Sequence, residues 1–276
     1  MTNQPAVAHQ VAENSVHIDS LRPPLKWAGG KRWLVPILRG IWQPYTHRRL
    51  VEPFVGGMAV ALGLQPRRAL LNDVNRHLIN FYRWLQRGLV IDLGLDNDES
   101  LYYGYRERFN ELIRQGTDHT KDAAQLFYYL NRTGYNGLCR YNRKGKYNVP
   151  FGRYSRINYT LDFRAYVPAL AGWRFACQDF GRLVLETSDF VYADPPYDNA
   201  FAAYSAGGFG WEDQVRLARW LSRHRGPVVA SNMGTERIKR LYRGLGFQLR
   251  TVSGPRRISC NGDRRPAQEI LATKGL

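Results

Sequence analysis

Three cysteines in 276 residues, Cys139, Cys177 and Cys260, are too few and too scattered to staple a small secreted fold, and no CxxC pair or Cys/His cluster accompanies them. This argues against a disulfide framework and a zinc site; no metal is expected, and a reducing cytoplasm is the expected setting. No apolar run approaches the roughly 18–20 residues that span a bilayer, so no membrane partner is expected. Met1 to Ser20 lacks a basic start followed by an apolar core, which argues against a signal peptide; it is polar and patternless, a flexible tail. Internal repeats and low-complexity runs are absent as well.

The scarcest commodity is negative charge. Asp and Glu number 23 against 40 Lys and Arg, a formal net charge of +17. Such an excess opposes folding through self-repulsion and calls for a polyanionic partner. The imbalance is local: no Asp or Glu stands between Ala123 and Leu161, a span holding Arg132, Arg140, Arg143, Lys144, Lys146, Arg153 and Arg156. Tyr135, Tyr141, Tyr147, Phe151 and Tyr154 are interleaved with them. Cations for phosphates and guanines, with rings for unstacked bases, are the composition of a nucleic-acid reader. A merely solubilising face would not need the glycines and aromatics.

What remains reads as an interrupted α/β chain. Arg32 to Gly40 is expected to be helical, Arg49 to Phe54 to form a buried strand entering the turn Val55-Gly56-Gly57, and Met58 to Leu64 to form a helix. A second strand, Ala69 to Asn72, ends at Asp73, and Asn75 to Gln86 places Leu78, Ile79, Tyr82 and Leu85 at amphipathic spacing. The alternation then stops for helical patterns at Leu101–Arg114 and Asp122–Leu130 and a long loop. It resumes with the strand Phe190–Ala193, the helix Trp211–Arg223, the strand Pro227–Ser231, the helix Thr235–Leu245 and a closing β region from Phe247 to Thr273. The expectation is a Rossmann-like sheet over residues 21–87 and 169–276, with a mainly helical lobe, 88–168, inserted into it.

Three motifs carry chemistry. Asp194-Pro195-Pro196-Tyr197 follows an apolar strand, at the carboxyl edge where such sheets bind ligands. Two prolines fix φ and remove two backbone donors, leaving carbonyls beside a carboxylate. A pocket rich in acceptors suits an exocyclic NH2 group: hydrogen bonds to Asp194 and the Pro195 carbonyl draw a conjugated nitrogen toward tetrahedral geometry and aim its lone pair at an electrophile. Tyr197 offers a face for an extruded base. In Glu52-Pro53-Phe54-Val55-Gly56-Gly57 the glycines permit a tight turn and close ligand approach. Asp73 stands where a carboxylate accepts from ribose hydroxyls, and the turn lacks GxGxxG, which favours a nucleoside without phosphates over a dinucleotide. Lys26-Trp27-Ala28-Gly29-Gly30-Lys31 lacks the GxxxxGK[ST] spacing and is no phosphate loop. Its Trp27 can cover a cofactor, and its lysines can meet a carboxylate or DNA. From these residues alone, methylation of cytosine N4 or of RNA stays open, as does a DNA-binding protein without catalysis.

Lys26–Lys31, Glu52–Gly57, Asp73, Tyr129–Asn142 with Asn148–Tyr154, and Asp194–Tyr197 occur in the order of the DNA adenine methyltransferase (Dam) family, which the chain resembles from about Pro23 to Leu271. The central stretch is the more specific part, since many amino-methyltransferases share the tetrad. The resemblance implies a site-specific enzyme moving methyl from S-adenosyl-L-methionine to N6 of adenine in double-stranded DNA, at GATC, with base flipping. It implies a catalytic Asp194, Pro195, Pro196 and Tyr197. Trp27, Lys31, Glu52, Phe54, Gly56, Asp73 and Asp194 would hold the cofactor, with Asp179 and Phe180 bordering its adenine. Lys26, Leu138, Arg140, Pro150 and Tyr154 would read bases, while Tyr135 and Asn136 would intercalate and fill the flipped adenine's place. A monomer at the nucleoid is the expected form. Gly56-Gly57-Met58 stands where Gly-Ala-Gly-Ser is commoner in that family.

Overall fold

Leu50, Val51 and Glu52 are all buried, the mark of a strand covered on both faces. They form β1 (Leu50–Glu52) in a computed structural model that describes residues 21–197, 208–254 and 267–276. The expected N-terminal tail and Cys260 lie outside the described residues, as does the middle of the closing β region. The other strands are β2 (Ala69–Asn72), β3 (Trp173–Ala176), β4 (Phe190–Ala193), β5 (Val228–Met233), β6 (Gln248–Gly254) and β7 (Ala267–Lys274). They hydrogen-bond in the order β3-β2-β1-β4-β5-β7-β6. The first five are parallel, and β7 runs antiparallel to both of its neighbours, β5 and β6.

Side-chain alternation along these strands builds two cores. Leu50, Phe190 and Tyr192 join α1 (Val35–Trp42), α2 (Ala59–Leu64) and α3 (Arg76–Gln86) on one face. Val51, Val191, Ala193, Val228 and Ala230 meet α7 (Trp211–Ser222) and α8 (Glu236–Gly244) on the other. Helices on both faces of a mostly parallel sheet give the α/β Rossmann-like architecture expected from the sequence. At β1 the strand order reverses: β2 lies on one side and β4 on the other, so the crevice at their carboxyl ends is the topological switch point.

Between α3 and β3 the chain forms α4 (Glu99–Gln115), α5 (Lys121–Thr133), a long loop and the short α6 (Val167–Leu170). Asp98 and Thr120 cap α4 and α5 by accepting from backbone N–H groups three residues on, Leu101 and Ala123. Tyr102, Phe127, Tyr128 and Tyr129 are buried in the same core as Phe81 and Tyr82 of α3, and Phe81 stacks on Tyr128 at 5.8 Å. The segment is thus fastened to the sheet through aromatic rings.

Two local expectations change. β3 was not anticipated: it has one neighbour, β2, and only Trp173 and Phe175 are buried, so a four-residue edge strand carries little pattern. The helix expected from Met58 starts at Ala59, because Met58 sits at φ 60°, left-handed and fully buried.

Candidate active site

Asp194 is the first residue beyond β4, and Ser231 lies beside it because Ala193 pairs with Ala230. Ser231 Oγ donates to Asp194 Oδ1 at 2.8 Å and shares a hydrogen bond with the Tyr192 hydroxyl at 2.9 Å. Lys31 Nζ reaches Asp194 Oδ2 at 3.2 Å; the lysine is only 4% exposed and also donates to the Gly29 carbonyl at 2.9 Å. Burial raises the pKa of the Asp194 carboxyl from its ordinary value, opposed by the Lys31 charge and the Ser231 bond. Each oxygen thus has one protein partner and a lone pair still to offer. Beyond it, the Pro196 carbonyl accepts from Gln214 Nε2 at 2.8 Å, and Asn232 Nδ2 holds Gln214 Oε1 at 2.9 Å. The Tyr197 hydroxyl donates to Glu269 Oε2 at 2.5 Å, and the Lys31 ammonium stands 4.6 Å from the Tyr197 ring centre.

At the end of β1, Gly56 has φ +45°, and a Cβ there would lie 2.8 Å from Trp27 Nε1. A Cβ on Gly57 would lie 2.8 Å from Trp27 Cβ, so glycine is needed at both positions to seat the indole. Asp73 Oδ2 accepts from Gly56 N at 3.1 Å and its Oδ1 from Asn75 N at 3.0 Å. It therefore locks the turn as well as presenting a carboxylate, and burial raises its pKa. Glu52 is buried with Oε1 unpartnered among the described residues. Its pKa is held well above the ordinary value, first by burial and then by the neighbouring Asp194 charge. Phe54 packs on Phe180 at 5.6 Å, and Asp179 is gripped by Arg216, whose guanidinium lies 4.1 Å from the Phe180 ring centre. A depression of about 710 Å³ along α7 includes Asp179 and Phe180 but none of Lys31, Asp73 or Asp194. The expected cofactor residues thus meet at the sheet edge, except that the Asp179 carboxylate is already engaged by Arg216.

The other predicted residues cluster around the end of α5. Asn131, fully buried, accepts from Lys26 N at 2.9 Å and donates to the Lys26 carbonyl at 2.8 Å. Lys26 Nζ donates to the Arg132 carbonyl at 2.7 Å and lies 3.4 Å above the Tyr154 ring. Burial, with the Arg132 charge, lowers its pKa to about 8. Tyr135 and Asn136 are exposed, Asn136 at φ 52°. Tyr135 N donates to the carbonyl of the exposed Pro150, and the Leu138 carbonyl accepts from the Tyr147 hydroxyl. Arg140 donates from Nε to Asn148 Oδ1 at 2.9 Å and from Nη2 to the Asn148 carbonyl at 3.2 Å. Lys144 and Lys146 are exposed. These loop residues are adjacent to the sheet edge through the Lys26–Lys31 segment.

Sequence reasoning missed Ser231, Glu269, Gln214 and Asn232. Ser231 was within reach, since two polar residues ending an apolar strand next to an acidic strand end invite attention. Glu269 gave no such sign: it is one carboxylate in a β run whose register only pairing fixes. Among the described residues no group of three or more His, Cys, Asp or Glu side chains is arranged to hold a metal, and no helix is long and apolar enough to cross a membrane.

Comparison with known proteins defines the class. The family model of the D12 class N6 adenine-specific DNA methyltransferases matches residues 27–258, and the chain belongs to that family. It is an adenine-specific DNA methyltransferase. Among its relatives, the DNA adenine methylase of Vibrio cholerae is 38% identical over 275 residues, covering 90% of this chain and 94% of the relative. The retron Ec67 DNA adenine methylase of Escherichia coli is 36% identical over 266 residues, with 91% and 90% covered. The DNA adenine methylase of Escherichia coli K12 is 35% identical over 270 residues, with 90% and 93% covered.

Proposed function

We propose that the enzyme takes its methyl group from S-adenosylmethionine, acts on GATC in duplex DNA, and flips the adenine out of the helix into the Asp194 site. The observation that carries this reading is the placement of Asp194: its two oxygens are fixed by Ser231 and Lys31 at the switch point, next to Tyr197 and one strand from the Gly56–Asp73 turn.

The residues fit the cofactor chemically. The unpartnered, buried Glu52 Oε1 is an acceptor suited to an ammonium donor, and Asp73 retains lone pairs for ribose hydroxyls. Trp27, seated on the two glycines, would cover the bound nucleoside, and Phe54 with Phe180 would flank its base. When bound, S-adenosylmethionine supplies an electrophilic methyl carbon on a sulfonium. Asp194 and the Pro195 carbonyl would each accept a hydrogen bond from the target amine and turn its lone pair out of conjugation. Tyr197 would stack on the extruded base, and the buried site would exclude competing water.

Residues 88–168 would act as the target-recognition lobe. Tyr135 and Asn136, exposed at a turn, suit insertion into the opened stack. Lys26, Leu138, Arg140, Pro150 and Tyr154 would read bases, with Lys144 and Lys146 on phosphates. The enzyme is read as a monomer working at the nucleoid. The test is digestion of treated plasmid with two GATC-cutting nucleases of opposite methyl sensitivity. Resistance to one and cleavage by the other is expected. Methyl incorporation without either change would reject GATC, and incorporation into cytosine would reject the target base.

A further inference from the structure

Glu269 is a further buried carboxylate at the reaction centre, and it comes from β7, two strands from β4. It lies on β7, opposite Met233 of β5 and Val252 of β6, and is 7% exposed. Its chain neighbours Ile270, Leu271 and Ala272 are apolar and buried, as the interior of such a strand requires. Burying a charge there is costly unless it is paired. Both of Glu269's described side-chain partners belong to the active site: the Tyr197 hydroxyl at 2.5 Å and Lys31 Nζ at 3.8 Å. Space has been made for it, since a Cβ at Gly254 would come within 3.1 Å of Glu269 Oε1 and 2.7 Å of the Trp33 ring.

We propose that Glu269 is a positioning residue for methyl transfer, fixing the plane of the Tyr197 ring through its hydroxyl and sharing the Lys31 ammonium with Asp194. Tyr197 lies beyond β4, outside any helix or strand, and its hydroxyl bond to Glu269 ties the ring to β7. Anchored to β7, its ring holds one plane against which a base can stack. Sharing Lys31 keeps the ammonium from closing fully on Asp194, which must stay available as an acceptor. Lys31 stands 3.2 Å from Asp194 and 3.8 Å from Glu269, between the two carboxylates.

This inference rests on the proposal that the target adenine stacks on Tyr197, and the experiment separates the two. Glu269→Ala, Glu269→Gln, Tyr197→Phe and the double variant Tyr197→Phe/Glu269→Ala are compared by kcat and KM, and by fluorescence of duplex carrying 2-aminopurine at the target adenine. Glu269→Ala should lower kcat by about tenfold to a hundredfold, the range of one charge-assisted hydrogen bond, with KM for DNA unchanged. Its bound 2-aminopurine should be brighter than with the wild type, because a flipped base that stacks poorly is quenched less. Glu269→Gln retains an oxygen for the Tyr197 hydroxyl and should recover most of kcat. The double variant should be no slower than the slower single one. Additive losses, or unchanged kcat in Glu269→Ala, would overturn the positioning role. If Glu269→Ala fails to fold, Glu269→Gln decides: a folded Gln variant with full loss of kcat also overturns it. 2-Aminopurine that stays as dim as in the free duplex with both the wild type and Glu269→Ala would instead count against the stacked, flipped base.

Discussion

The sheet edge and the loop after α5 solve opposite problems. At the edge, carboxylates are buried or half-buried and most are already held: Asp194 by Ser231 and Lys31, Asp73 by two backbone amides. In the loop, the cations and most of the rings lie at the surface or half-buried, and Arg140, like Lys26 packed beside the loop, donates to the protein's own carbonyl and amide oxygens. A reacting group benefits from being fixed and desolvated before the substrate arrives, because its field is then strong and costs no reorganisation. On the proposed function, a reading group in the loop would exchange its internal partners for base edges and phosphates, which favours a place where water can take part in the exchange. The family match places both regions in one adenine methyltransferase.

The contrast is broken most directly at Asp194. Asp194→Ala should cut kcat by at least roughly 10²–10³-fold, as removal of a preorganised polar group does, and leave duplex affinity unchanged. Turnover close to the wild type would remove Asp194 from the chemistry, and a parallel loss of DNA binding would mean the two regions are not separable. Next in size is Asp73→Ala, which deletes two backbone tethers of the glycine turn and the acceptor offered to the ribose. Calorimetry should show S-adenosylmethionine binding weakened by about 1.5–3 kcal/mol. Unchanged affinity would confine Asp73 to the fold.

Arg140→Ala tests the loop. Its preference for GATC over duplexes altered at the third position should narrow by about 1–3 kcal/mol, measured as a ratio of methylation rates at fixed salt. Lys144→Ala should instead weaken all duplexes alike and reduce the slope of log affinity against log salt by about one. A common factor across all sequences for Arg140→Ala would make it a positioning contact. The smallest effect concerns pH. The folded-state pKa of Glu52 is raised, so the folded protein holds its proton to higher pH than the unfolded chain does. Stability from that group is full below the unfolded value and is lost as pH rises through the folded one. Glu52→Gln should flatten that decline in Tm above the ordinary glutamate range. A profile parallel to the wild type would show that Glu52 does not titrate in folding.

Much of this could be read from the chain. Hydrophobic period located β1, β2, β4 and β5, because strands covered on both faces are continuous apolar runs. The Asp-Pro-Pro-Tyr segment and the Gly56-Gly57 turn were legible because their chemistry is contiguous in sequence. The absence of acid between Ala123 and Leu161 marked the basic segment directly. Tertiary structure decided the rest. Ser231 reaches Asp194 only through the pairing of β4 with β5, and Glu269 reaches Tyr197 only because β7 runs antiparallel beside β5. Asn131 binds Lys26 across 105 residues of chain. Spacing along a strand or helix records which face a residue takes, but not what stands opposite. That depends on strand order and register, which are set by packing between segments far apart in sequence.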